Sequence, residues 1–203
     1  MLRLAVFDLD GTLMRGPSCC ELIAASIGRS AEMAAFEAAS GNGQVRAARE
    51  EMARWYAKVA PAGLSDVIAG ARLGPGAEEA CAMLRNAGVD LAIASVTWSF
   101  AVDAVADKLG IVHRLGTTLG QDGTIGHVWP LDKVAFLKRL MSERGISRNQ
   151  TAAAGDSAGD LPLLEAAGLA VFVGKQPIAG LTARALHLPE ADLRDVAAAM
   201  LRW

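Results

Sequence analysis

The sequence predicts an α/β fold: a doubly wound parallel sheet with a helical segment inserted after its first strand. Three observations carry that prediction. Short apolar runs of strand length stand at Leu2–Phe7, Val89–Ala94, Thr151–Ala154 and Leu169–Val173. Between the later runs lie helical patterns of ten or so residues, the alternation that builds right-handed βαβ units. Residues 18–70 show no strand alternation at all, so they read as an all-helical insertion.

Taken in order, the run LRLAVF is short, apolar and stopped by Asp8-Leu9-Asp10-Gly11-Thr12, which suits a buried strand feeding a loop. Ser18 with Glu21 three positions on forms a capping-box pattern and opens the insertion. Gly28, Gly41-Asn42-Gly43 and Pro61-Ala62-Gly63 divide the insertion into three or four helices. An amphipathic helix from Ala77 to Ala87 is closed by Gly88, and the strand VDLAIA stops at Ser95. A helix around Phe100–Leu109 closes at Gly110. Strand-type residues from Gly116 to Val128 flank Asp122-Gly123, a hairpin signal. Helices follow at Asp132–Arg144 and, after Gly155-Asp156-Ser157, from about Asp160 to Ala167.

Composition bounds the function. The 203 residues carry 20 basic and 22 acidic side chains, a net charge of −2, and are 52% hydrophobic. No basic surplus points to nucleic acid, and no long uncharged apolar run points to a membrane span. Cys19, Cys20 and Cys81 form no metal-type pair, so they read as reduced thiols and place the chain in the cytoplasm. The amino terminus is too short in apolar residues for a signal peptide.

In open parallel sheets, ligands bind beyond the carboxyl ends of the strands. The polar residues expected there form a chemically coherent set: Asp8 and Asp10 from strand one, Ser95 from strand two, Asp156 after the Thr151 strand, with Lys133 opening a nearby helix. Three clustered carboxylates require a cation. Oxygen donors without clustered His or Cys suit Mg²⁺, which binds through one or two carboxylates plus substrate phosphate. A lysine and a hydroxyl opposite such an ion suit phosphoryl oxygens. One aspartate can then attack phosphorus while another works as acid and base.

Asp8-Leu9-Asp10-Gly11-Thr12, Ser95, Lys133 and Gly155-Asp156-Ser157-Ala158-Gly159-Asp160 resemble the four ordered motifs of the haloacid dehalogenase (HAD) superfamily. The likeness runs from residue 2 to about residue 200, with the insertion similar to the small helical cap of the subfamily containing phosphoserine phosphatase. The resemblance implies a Rossmann-like core of residues 1–13 and 70–203 with an all-helical cap at 14–69. It implies Asp8 as nucleophile, Asp10 as general acid/base, and Mg²⁺ held by Asp8, the Asp10 carbonyl and Asp156, with Asp160 as second-shell or water-mediated partner. Ser95, Lys133 and the backbone of Leu9, Asp10 and Val96 would hold the phosphoryl group. The implied enzyme is a phosphatase acting through an aspartyl-phosphate on a small phosphorylated metabolite, L-phosphoserine first.

Three departures bear on substrate: Pro17 stands near the place of a cap glutamate, Val96-Thr97 replace two glycines, and Gly159 replaces an asparagine. The resemblance offers Arg54 as the substrate-carboxylate clamp, with Arg46 and Arg49 as alternatives; a solvated helix residue is the plainer reading of Arg54. Simpler readings stand beside these roles. Ser95 also suits a helix N-cap, with Thr97 as the alternative hydroxyl. Lys133 also reads as a surface lysine, and Asp160 as a helix-dipole partner. Trp55, Trp98 and Trp129 read as core more than cavity wall. Rival functions are a phosphotransferase or mutase on the same site, a receiver-like phospho-aspartate signalling module, and a degenerate scaffold. Oligomeric state is left open.

Overall fold

The computed structural model describes residues 1–38, 41–59, 61–181 and 185–203, with the side chains of 61 and 62 left aside. Its strands are β1 (Leu4–Phe7), β2 (Asp90–Trp98), β3 (His113–Leu119), β4 (Ile125–Gly126), β5 (Thr151–Gly155), β6 (Leu169–Phe172) and β7 (Leu186–His187). They form one sheet in the order β4-β3-β2-β1-β5-β6-β7, parallel except for the β3–β4 pair. The doubly wound α/β class read from the sequence is the one observed. Order reverses at β1, with β2 on one side and β5 on the other, so the crevice for a ligand opens beyond Phe7.

Period-two alternation explains why both faces of β1 are apolar. Leu4 and Val6 face a core layer built from Phe136, Leu137 and Leu140 of α7 (Pro130–Arg144) and Leu163 and Leu164 of α8 (Leu161–Ala166). Ala5 and Phe7 face the opposite layer, which takes in α5 (Ala77–Asn86), α6 (Ser99–Leu109) and α9 (Leu193–Arg202). A central parallel strand is thus covered on both sides, as its unbroken apolar run requires.

The insertion contains α1 (Cys19–Ser26), α2 (Ser30–Glu37), α3 (Asn42–Tyr56) and α4 (Pro61–Ala69). Ser18 caps α1 as its sequence pattern predicts: its side chain accepts from the Glu21 N–H, and Glu21 accepts from the Ser18 N–H at 2.7 Å. α1 packs on α2 and α4, and α4 packs on α6 of the sheet layer.

Two elements differ from expectation. β2 runs to Trp98 rather than stopping at Ser95, with a register shift against β3 between Ala94 and Trp98. β3 is a hybrid: it pairs in parallel with β2, then turns back on β4 through the expected Asp122-Gly123 turn, where Gly123 takes φ +82°. β7 and α9 lie in the stretch after Val173, to which the sequence reading assigned no element. Among the described residues no helix is long and apolar enough to cross a membrane.

Candidate active site

Asp8 follows β1 immediately, and its backbone N–H still donates to the Ala154 carbonyl of β5 at 2.9 Å. That bond fixes Asp8 at the reversal point of the sheet. Lys133, on the first turn of α7, reaches into the same place. Its Nζ donates to Asp8 Oδ1 at 2.6 Å and to Asp160 Oδ1 at 2.7 Å, and the side chain is 2% exposed. Lys133 is therefore no surface lysine. Burial works against its charge, but Asp8 and Asp160 outweigh burial and hold the ammonium above its ordinary pKa.

The carboxylates feel the opposite imbalance. Burial pushes Asp8 well above the usual carboxylate range and the Asp160 charge adds to this, with Lys133 opposing. Burial and then Asp160 raise Asp156 to about 6. Burial also raises Asp10, against the pull of the Cys19 N–H, which donates to Asp10 Oδ1 at 2.7 Å. Carboxylates under this pressure accept either protons or a cation. Single oxygens of Asp8, Asp156 and Asp160 lie within 4.8 Å of one another, a spacing one cation can span.

A cation held here would be a hard one, since all three side chains are oxygen donors. Asp156 is aimed by its surroundings: the Thr12 hydroxyl donates to Oδ1 at 3.4 Å, and Gly11, at φ +79°, leaves room where a Cβ would collide with the Asp156 carboxylate. Asp160 is differently placed. It is fully buried, and its Oδ2 already accepts from the Asp156 and Ser157 N–H groups and the Ser157 hydroxyl, while Oδ1 takes Lys133. Its bonds brace the 155–157 turn and Lys133. That geometry fits the second-shell part of its expected role better than direct ligation. The oxygen donors present fit a hard cation such as Mg²⁺.

These groups open onto a cavity of about 440 Å³. Its floor carries Asp8, Asp10, Ser95, Val96, Thr97, Lys133 and Asp156. Ser95 lies inside β2, and α6 is capped by Trp98, so the N-cap reading of Ser95 does not hold. The opposite wall comes from the insertion, through Ser18, Glu37, Asn42, Val45 and Arg49. Leu9 is fully buried and does not line the cavity.

For Arg54 the structure favours the solvated helix residue over the clamp. It is largely exposed, pairs with Glu51 at 2.6 Å, and does not line the cavity. Arg49, one of the two alternatives, does. The reason lies in helical phase: Asn42, Val45 and Arg49 share one stripe of α3, whereas Arg54 sits five residues beyond Arg49, about 140° round the helix. Arg49 donates to the carbonyls of Val96 at 2.7 Å and Val128 at 3.1 Å, bonds the His127 ring at 3.3 Å, and lies over the Trp129 ring. No carboxylate pairs with it among the described residues, and burial lowers its pKa. Trp129 lines the cavity, while Trp55 and Trp98 are core.

Glu37 is a site residue that sequence reasoning missed. It closes α2 and accepts from the Ser18 hydroxyl at 2.8 Å; burial raises its pKa. Nothing in sequence spacing links it to Ser18, because only the α1–α2 packing brings them together. Ser157 lies within the Gly155–Asp160 motif, and Trp129 takes the cavity-wall place that the sequence ranked behind core.

Fold and site together define the class, a HAD-type phosphatase. The chain belongs to the haloacid dehalogenase-like hydrolase family, whose profile matches residues 5–165. It is 30% identical over 190 residues to a phosphoserine phosphatase of Polaromonas sp., covering 86% of this chain and 80% of that protein. It is 32% identical over 200 residues to a phosphoserine phosphatase of Streptomyces coelicolor, covering 94% of this chain but only 48% of the relative, so it spans about half that relative's length. In fold it is similar to a substrate-bound phosphoserine phosphatase complex, with a TM-score of 0.80 at 23% identity over 98% of both chains. A phospho-aspartyl intermediate analogue of phosphoserine phosphatase aligns at TM-score 0.70 and 24% identity, over 84% of this chain and 86% of that one.

Proposed function

We propose that the chain is a cytosolic, Mg²⁺-dependent phosphomonoesterase working through an aspartyl-phosphate, with residues 14–69 as a cap over the site and a small phosphorylated amino acid, L-phosphoserine first, as substrate. The observation that carries the reading is the convergence of Asp8, Asp10, Lys133 and Asp156 on one cavity whose far wall holds Glu37 and Arg49. Bound among the carboxylates, Mg²⁺ would offset the negative charge of nucleophile and phosphoryl oxygens.

The chain's own residues account for the rest. An Asp8 oxygen attacks phosphorus and the ester oxygen leaves, taking a proton from Asp10. Asp10 then removes a proton from water, which attacks the acyl phosphate at phosphorus and frees Asp8 and inorganic phosphate. Lys133 and Ser95 stabilise the phosphoryl oxygens, with backbone N–H groups of Leu9, Asp10 and Val96. On the far wall, the Arg49 charge has no acidic partner among the described residues and suits a substrate carboxylate, while Glu37 suits an ammonium. A receiver-like module would need neither an Asp10 nor this second wall.

Asp8→Asn is expected to abolish Mg²⁺-dependent hydrolysis of p-nitrophenyl phosphate. Undiminished turnover in that variant would remove Asp8 from the nucleophile's role.

A further inference from the structure

Arg49 projects from α3 of the insertion, but the groups that hydrogen-bond its guanidinium belong to the core. Its Nη2 donates to the carbonyls of Val96 and Val128, and Thr117 sets those two acceptors relative to each other. The Thr117 hydroxyl donates to the Val96 carbonyl at 2.9 Å and accepts from the Val128 N–H at 3.1 Å. Arg49 Nη1 bonds Nδ1 of His127, which must accept, because a guanidinium only donates. The Nε–H and the second Nη1–H have no partner among the described residues, and they are the donors left for a ligand.

Hydrogen bonds hold the edge of the fork, and an aromatic face holds its plane. Arg49 Cζ lies 4.8 Å from the centroid of the Trp129 ring. His127 backs that ring, with centroids 5.4 Å apart and planes 20° from parallel. The Trp129 backbone is fixed in turn, since its N–H donates to Asp132 Oδ2 at 2.8 Å in the first turn of α7. Lys133 is the next residue of that turn, so the indole and the phosphate-binding lysine are placed by one helix end. Trp129 and Arg49 both line the cavity.

We propose that Trp129 is a positioning residue for Arg49 and thereby a determinant of specificity for carboxylate-bearing phosphate esters. Its indole face sets the plane of the guanidinium at a fixed place relative to Lys133, so that the free donors of Arg49 meet a carboxylate when the phosphoryl group sits on the lysine. Trp129 acts through Arg49 and makes no polar contact with the substrate. The proposal rests on the reading of Arg49 as the carboxylate's partner and adds to it the residue that aims the guanidinium.

The test is a double-mutant cycle in the Mg²⁺-loaded chain, reading KM for L-phosphoserine and the inhibition constant of inorganic phosphate, which carries no carboxylate. Trp129→Leu is expected to raise KM for L-phosphoserine about tenfold, while kcat and the phosphate inhibition constant change less than about threefold. Trp129→Phe keeps an aromatic face and is expected to recover most of the loss. In an Arg49→Ala background Trp129→Leu should add less than about twofold, because no guanidinium remains to be placed. Trp129→Met also lacks the aromatic face and carries the same cycle should the leucine variant not fold. Equal rises in the two constants, no rise in KM, or a rise that persists in the Arg49→Ala background would overturn the proposal and leave the phosphatase reading intact. If Arg49→Ala alone left KM for L-phosphoserine unchanged, or the unaltered chain did not turn that ester over, the reading of the substrate would fall and the proposal with it.

Discussion

Lys133 joins two carboxylates, Asp8 and Asp160, in a place that water scarcely reaches. Removing one member of such a buried set leaves uncompensated charge and costs about 3–5 kcal/mol. Lys133→Met is therefore expected to lower thermal stability by that amount in chelator, and saturating Mg²⁺ is expected to return part of it by replacing the lost positive charge. Unchanged melting in chelator would contradict the buried network. Asp156 gives a pH signature. Its pKa is raised from 3.8 to about 6, so the folded metal-free chain binds more protons than the unfolded one between those values. Its contribution to stability then falls as pH rises from about 4 to about 6. Mg²⁺ must displace that proton, so calorimetry in buffers of different ionisation enthalpy should show proton release on Mg²⁺ binding near pH 6, fading as pH rises above it. Lys133 also shows how far residue types alone can be read. Its place in an ordered motif identified it, but only the folded chain shows its ammonium spanning two carboxylates.

At the scale of elements, the strand-and-turn grammar was largely legible. Every long apolar run became a strand, the Ser18–Glu21 capping box closed, and Gly110 and Gly145 ended α6 and α7 in the left-handed region. What escaped was set by long-range pairing. β2 continues past Ser95 because Thr97 and Trp98 are buried against the insertion and α6, which local pattern does not reveal. β7, two residues long, exists only by pairing with β6. α9 was readable in principle, since Leu193, Val196, Ala197 and Met200 recur at helical spacing behind an Asp192 cap. α3 carries the sharpest prediction at this scale. Arg49 ties it to the carbonyls of Val96 and Val128, so Arg49→Ala should destabilise the fold by about 2 kcal/mol. The same change should raise KM for phosphoserine far more than for p-nitrophenyl phosphate, while Arg54→Ala should leave both nearly as they were. A large effect of Arg54→Ala with none from Arg49→Ala would reverse the assignment made from helical phase.

Across the whole molecule, a net charge of −2 hides a sharply polarised interior. Acidic groups gather at the carboxyl edge of β1 and β5 around the buried Lys133, and Arg49, which has no acidic partner among the described residues, lines the same cavity. A substrate matching both walls carries a phosphoryl group, a carboxylate and an ammonium. Among phosphorylated metabolites assayed for released phosphate, L-phosphoserine is expected to rank above neutral sugar phosphates; the opposite ranking would detach Glu37 and Arg49 from recognition. The central claim is more specific than any ranking, because it places a covalent bond on one oxygen-bearing side chain. Acid-quenching the enzyme during turnover with Mg²⁺ and a phosphate ester, then mapping peptides by mass, tests it most directly. The mass of one phosphoryl group on the peptide containing Asp8, absent from Asp8→Asn, is the predicted result. Turnover with no such adduct at any quench time, or an adduct on another residue, would contradict it.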